Sequence, residues 1–232
     1  MWLIILICIL AAAAVLALYL WAIRPNTARK ETCLAFSRWD FAHRGLWNME
    51  RGIPENSLPA FKKAVDHGFA IELDLHLTSD GQIVVFHDDT LKRMCQLDQS
   101  VESMTYDELS RYRLMNTDCR IPLLTEVLKL VNGRVPLLIE LKLPTSSTAL
   151  CPLLDRLLAS YPGQYLIESF NSLGLRWYRK HRPDILRGQL ASRYPPAKGL
   201  TSLLNRLSTS LIVNAASRPD FVAYNYKHTH GL

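Results

Sequence analysis

Glu72 and Asp74 stand two residues apart in the apolar run Ala70–Leu75, so on a strand both carboxylates project from one face. Two carboxylates crowded in a buried site repel each other and are costly to desolvate, and a divalent cation resolves that conflict. Oxygen-only ligation suits Ca²⁺ or Mg²⁺ better than Zn²⁺. Glu140, at the end of the later apolar run Leu137–Leu141, offers a third oxygen ligand. The bland alternative is a carboxylate pair neutralised by arginine. Flanking Ile71, Leu73 and Leu75 speak against free exposure.

His43 and His87 each stand where an apolar run meets charged residues. A single histidine in that position is more often structural. Two at equivalent strand ends suggest a pair in which one ring takes a proton from a nucleophile and the other protonates a leaving oxygen. Arg44 and Lys142 flank the acids. An arginine fork and a lysine point charge suit phosphate oxygens, or they neutralise the neighbouring carboxylates. Glu55 and Asn56 lie between Pro54 and a helix start, as caps or as metal and substrate contacts. Asp88 is placed to orient His87. Phe170 and Asn171 line a pocket in one reading, with helix capping an equal alternative for Asn171. His67 reads as a C-cap, and His76 shares the face of Glu72 and Asp74.

The elements that position these groups alternate. Strand candidates are Phe41–His43, Ala70–Leu75, Ile83–His87, Leu137–Leu141, Tyr165–Ser169, Leu186–Leu190 and Phe221–Tyr224. Their near-continuous Val, Ile and Leu content predicts a parallel sheet buried on both faces. Helices are expected over Ser57–His67, Thr105–Arg111 with a capping-box start, Leu124–Val131, Ala149–Ser160 and Leu173–Lys180. Repeated strand–helix units admit an open doubly wound sheet or a barrel. Polar groups at successive C-terminal strand ends, with no glycine-rich nucleotide loop, favour an α/β fold of the (β/α) barrel kind. Seven strands are visible where a closed barrel needs eight, so either one strand escapes the pattern or the barrel lacks its last strand and helix.

Residues 2–23 carry no charge. Twenty-two residues at ~1.5 Å per residue give about 33 Å, enough for a transmembrane anchor, with a cleaved signal peptide as the competing reading. Residues 24–38 read as a linker and 39–232 as one barrel domain. Arg24, Arg29 and Lys30 follow the span, which places the domain on the cytoplasmic side by the positive-inside rule. The five cysteines show no paired spacing and read as thiols. The net charge of +6 reads as a solvated surface or as attraction to an anionic membrane or phosphate. No basic cluster is interleaved with aromatics, so no nucleic-acid partner is expected.

Taken in order, His43-Arg44-Gly45, Pro54-Glu55-Asn56-Ser57, Glu72-Leu73-Asp74, Thr78-x-Asp80-Gly81, His87-Asp88, Glu140-Leu141-Lys142 and Ser169-Phe170-Asn171 resemble the glycerophosphodiester phosphodiesterase family, from about residue 40 to 224. The resemblance implies a TIM-type (β/α)8 barrel that hydrolyses glycerophosphodiesters to glycerol 3-phosphate and an alcohol. It implies one divalent metal ion, Ca²⁺ or Mg²⁺, on Glu72, Asp74 and Glu140 with Glu55 as a neighbour. By the same similarity His43 and His87 form the acid/base pair, Arg44 and Lys142 hold phosphate, and Asn56 supports the site. Lysophospholipase D or phosphoinositide phospholipase C chemistry on a lysolipid or lipid is the rival within that chemistry. A membrane-tethered protein that binds phosphodiesters without hydrolysing them is the rival of another class.

Overall fold

The run Ala70–Leu77 forms the longest strand, and its alternation sets the architecture. Ile71, Leu73 and Leu75 face a helical layer and are fully buried, while Glu72, Asp74 and His76 face the opposite, concave side. In the computed structural model, which describes residues 1–192, 203 and 206–225, seven strands join one sheet: β1 (Phe41–His43), β2 (Ala70–Leu77), β3 (Ile83–Val85), β4 (Leu137–Leu141), β5 (Tyr165–Ser169), β6 (Arg187–Ala191) and β7 (Phe221–Tyr224). The order is β1-β2-β4-β5-β6-β7, every neighbouring pair parallel. Among the described residues β1 and β7 are not paired, so the curled sheet forms part of a barrel wall.

β3 departs from the sequence reading. It pairs antiparallel with β2, Leu75 opposite Val85 and Leu77 opposite Ile83, instead of joining the parallel series. The reason is length. Five residues, Thr78–Gln82, join the two strands, and a parallel return needs a crossover of a dozen or more. Thr78 N donates to Gln82 O, and Gly81 takes φ 78°, closing a hairpin turn.

The helices are α1 (Trp2–Ile23), α2 (Lys30–Leu34), α3 (Leu58–Asp66), α4 (Lys92–Cys95), α5 (Tyr106–Leu109), α6 (Leu124–Val131), α7 (Leu150–Leu158) and α8 (Ser172–His181), followed by a short helix at Asn214–Ser217. Ser57 caps α3 by accepting from Ala60 N, and Thr105 and Glu108 form the capping box of α5. Apolar faces of α3, α6, α7 and α8 cover the convex side through Phe61, Val127, Leu154 and Leu175, all buried. A second core, built from Val84, Phe86, Leu91, Met94, Leu109 and Ile121, makes a small lobe of the segment after β3.

Helix α1 is apolar throughout and leaves the domain at its last turn, where only Ala22 is buried. Asn214 Nδ2 donates to Ile23 O at 2.9 Å and Arg218 Nη1 to Trp21 O at 2.7 Å, with the Arg218 guanidinium 3.6 Å above the Trp21 ring. Arg29 pairs with Asp220, and Asn26 Nδ2 donates to the same carboxylate at 3.0 Å. The segment expected as a linker thus folds partly into α2 and is fastened beside the start of β7. That attachment lies at the N-terminal ends of the strands.

Candidate active site

Strand register assembles the acids at the other end. His43 stands opposite Glu72, Asp74 opposite Glu140, and Glu140 opposite Glu168, all on neighbouring parallel strands. Oxygen atoms of Glu72, Asp74 and Glu140 lie within 4.8 Å of one another, and all three residues are buried, Asp74 completely. Glu168 adds a fourth buried acid, 5 % exposed. The sequence reading missed it, although it occupies on β5 the place Glu140 occupies on β4.

These carboxylates alter one another. Burial raises the Glu72 carboxyl well above its usual value, and Asp74 adds to the rise. Burial also lifts Glu140 to about 7 against the pull of Lys142, and Glu168 to about 8 with help from Glu140 and Asp74. Asp74 goes the other way. Burial opposes its charge, but Lys142, His87 and the amide of Asn56 together hold it below the usual range. Lys142 Nζ lies 2.6 Å from Glu140 Oε1 and 3.0 Å from Asp74 Oδ1, and Arg44 Nε lies 3.6 Å from Asp74 Oδ2. Four buried acids therefore share two cations. An oxygen-only cluster whose acids resist ionising beside one another fits a hard divalent cation, whose charge would let them ionise.

The β1–α3 loop carries the remaining groups. Arg44 and Gly45 take φ values of 59° and 81°, and Gly45 N donates to Ala42 O. This turn aims Arg44 N at Glu72 Oε2, 2.8 Å away. Asn56, at φ 51°, donates through its backbone N to Arg44 O and through Nδ2 to Asp74 Oδ2 at 2.8 Å. Ser57 is the α3 cap, which leaves Asn56 for the site. Glu55 is not within the acidic triad. It accepts from Arg44 Nη1 at 2.9 Å and from Arg93 Nη2 at 2.6 Å, and those partners outweigh its burial to lower its carboxyl. Arg93, on α4, is a second group that sequence reading missed.

A Cβ on Gly45 would lie 2.9 Å from Ala60 Cβ and 3.0 Å from the Phe61 ring, at a φ that side chains disfavour. Gly45→Ala is therefore expected to cost about 1–3 kcal/mol, as overpacking does, and to displace Arg44. Chemical denaturation checks the first effect. An unchanged unfolding midpoint would show that the α3 contact yields freely.

The two histidines differ in setting. The His43 side chain is 69 % exposed, with Nε2 3.9 Å from Glu72 Oε2. Partial burial and then the Arg44 charge lower its pKa. His87 Nδ1 lies 2.6 Å from Asp88 Oδ1. Burial opposes the Asp88 charge, yet hydrogen bonds from Arg93 and His87 bring that carboxyl down to about 2. His76 lies buried behind the acids and is held neutral by burial, its pKa about 4. His67 caps α3, its Nδ1 2.8 Å from Lys63 O.

His87, Asp88, Glu140, Lys142, Phe170 and Asn171 line an open cavity of 720 Å³. Phe170 stands at its wall, 41 % exposed. Asn171 caps α8 through Leu173 N and also donates to Leu143 O and Thr145 O, so both of its expected roles converge on shaping the wall.

Comparison with known proteins gives a consistent result. The sequence pattern of the glycerophosphoryl diester phosphodiesterase family matches residues 43–197. A glycerophosphodiester phosphodiesterase of Bacillus altitudinis is 39 % identical over 113 residues, 46 % of this chain and 45 % of that protein. One from Caldanaerobacter subterraneus subsp. tengcongensis is 34 % identical over 163 residues, 64 % of this chain and 65 % of that protein. The chain thus spans from about half to just under two thirds of these relatives' lengths. A phosphodiesterase of Oleispira antarctica, solved with the product sn-glycerol-3-phosphate, superposes with a TM-score of 0.62. It is 22 % identical, and the match covers 83 % of this chain and 95 % of that one, a likeness of fold.

Proposed function

The chain belongs to the glycerophosphoryl diester phosphodiesterase family, and from that premise we propose that it hydrolyses glycerophosphodiesters to glycerol 3-phosphate and an alcohol, using a divalent metal, at a membrane surface. The observation that carries the reading is the register that sets Asp74 beside Glu140 on β2 and β4 and His43 beside Glu72 on β1 and β2, with His87 on the segment that follows the antiparallel β3. Glu72, Asp74 and Glu140 would hold the metal, Ca²⁺ or Mg²⁺. When bound, that ion neutralises charge on the phosphoryl oxygens.

The chain's own groups do the rest. Arg44 and Lys142 reach phosphate oxygens from positions beside the acids, and Asn56 steadies Asp74. His43, favoured in its neutral form by burial and Arg44, takes the proton of the attacking hydroxyl, whether water or the glycerol's own. His87 gives a proton to the departing alcohol. Asp88 fixes its Nδ1 side, leaves Nε2 for the substrate, and compensates the charge of the doubly protonated ring. Phe170 packs against the glycerol or head group at the cavity wall.

Because His43 must be neutral to act, the acidic limb of kcat/KM is expected below pH 6.5, the ordinary histidine value. A nearby cation moves it the same way. Measured with the divalent cation saturating, so that protonation of Glu140 does not set the limb, a pH–rate profile with that limb at or above 6.5 would remove His43 from the role of base.

Helix α1 would span the membrane with the domain on the cytoplasmic side, as Arg24, Arg29 and Lys30 suggest. Its attachment at the N-terminal strand ends, opposite the carboxylates, favours a water-borne substrate over one still embedded in the same bilayer. The test is turnover of glycerophosphocholine against a lysophospholipid by the full chain in proteoliposomes. Faster release of glycerol 3-phosphate from the first supports the reading. Faster cleavage of the lysolipid transfers the activity to the lysophospholipase D class, and binding without product transfers it to a binding protein.

A further inference from the structure

We propose that Arg93 is a positioning residue that holds both halves of the site, His87 through Asp88 and Arg44 through Glu55; this rests on the acid/base and phosphate roles given above. Arg93 belongs to no barrel strand. It sits on α4 in the small lobe, between Leu91 and Met94, both buried in the second core. Its guanidinium makes a fork on Asp88, Nε to Oδ2 at 2.7 Å and Nη2 to Oδ1 at 3.0 Å. The same Nη2 donates to Glu55 Oε1 at 2.6 Å. Beyond those acids lie His87 Nδ1, 2.6 Å from Asp88 Oδ1, and Arg44 Nη1, 2.9 Å from Glu55 Oε1.

The physical need for such a group is clear from the neighbours. Asp88 follows His87 directly, so its rotamer is not set by the strand that ends at Val85. A carboxylate free to turn into solvent would release the imidazole. A planar fork that binds both Asp88 oxygens stops that turn, which a point charge does not do. Glu55 likewise lies in a loop, and its Arg93 contact keeps its oxygen where Arg44 can use it. The Arg93 side chain is 47 % exposed, so these pairs contribute little to stability; their effect is on where the reacting groups sit.

The experiment is a double-mutant cycle in the full chain. Arg93→Gln is expected to lower kcat roughly 10–100-fold and raise KM several-fold, the scale of a ~1 Å misplacement, while Tm moves by less than about 3 °C. In an Asp88→Asn background the kcat loss from Arg93→Gln should vanish, and in a Glu55→Gln background the KM rise should vanish. Arg93→Lys should restore part of the KM effect and little of kcat. Imidazole ¹⁵N shifts of the metal-free protein give a readout without turnover. At a pH where the His87 ring is neutral, its proton should sit on Nδ1 in the parent and be spread over both tautomers in Arg93→Gln. Losses that add in both backgrounds, unaltered kinetics, or an unchanged His87 tautomer would overturn the proposal. An inactive parent with the expected tautomer change would instead fault the hydrolase reading and leave the Arg93 linkage standing.

Discussion

Asp74→Asn is expected to abolish turnover and weaken divalent-cation binding by more than about 100-fold, since even partners behind the ligands cost 10–100-fold when lost. Asp74 is central to the acidic cluster. It is fully buried, stands in register with Glu140, and touches Lys142, Arg44 and Asn56. The amide would keep the Asn56 neighbour but remove the charge that Lys142 and the cation both need. Glu140→Gln, less deeply enclosed by partners, should lose the cation with less strain on the fold. Isothermal titration with Ca²⁺ and Mg²⁺ measures the first effect, and release of glycerol 3-phosphate the second. Parental affinity for both cations in a folded Asp74→Asn protein would detach the acids from metal binding.

The second large effect concerns the histidines. His43→Ala and His87→Ala are each expected to lower kcat about 10²–10⁴-fold, the range of general acid–base help. Both proteins should bind the cation as the parent does, because neither ring belongs to the acidic triad. The two variants should separate when the leaving group changes. A glycerophosphodiester with a nitrophenol leaving group needs no protonation, so it should largely rescue His87→Ala and leave His43→Ala slow. Equal rescue of both would erase the division between base and acid. Loss of the cation in either would place the ring among its ligands.

Much of the site was legible because strand chemistry is local. Glu72 and Asp74 share a face by the two-residue period, and apolar neighbours declare their burial. His43, Glu140 and Lys142 followed as the polar ends of apolar runs. What failed was non-local. The run after Thr78-Ser79-Asp80-Gly81 looked like one more barrel strand, yet its short connection turns it back antiparallel as β3. Glu55 remains a proposed neighbour of the metal, but its two arginine partners, one of them 38 residues away on α4, gave no local signal. Arg93 itself gives no periodic signal, because the lobe that carries it is built from short helices and turns. Glu168 could have been found by aligning β5 on β4, where Glu140 and Glu168 share a register position. The barrel reading is met in its parallel order, with β1 and β7 not paired to each other among the described residues.

The most direct test of the account is cation-dependent hydrolysis by the purified full chain, followed by ³¹P NMR with glycerophosphocholine as substrate. The expected result is glycerol 3-phosphate with Ca²⁺ or Mg²⁺, none after EDTA, and recovery when either cation is restored. A folded chain that yields no product with any divalent cation, or one that works equally well in EDTA, would contradict it.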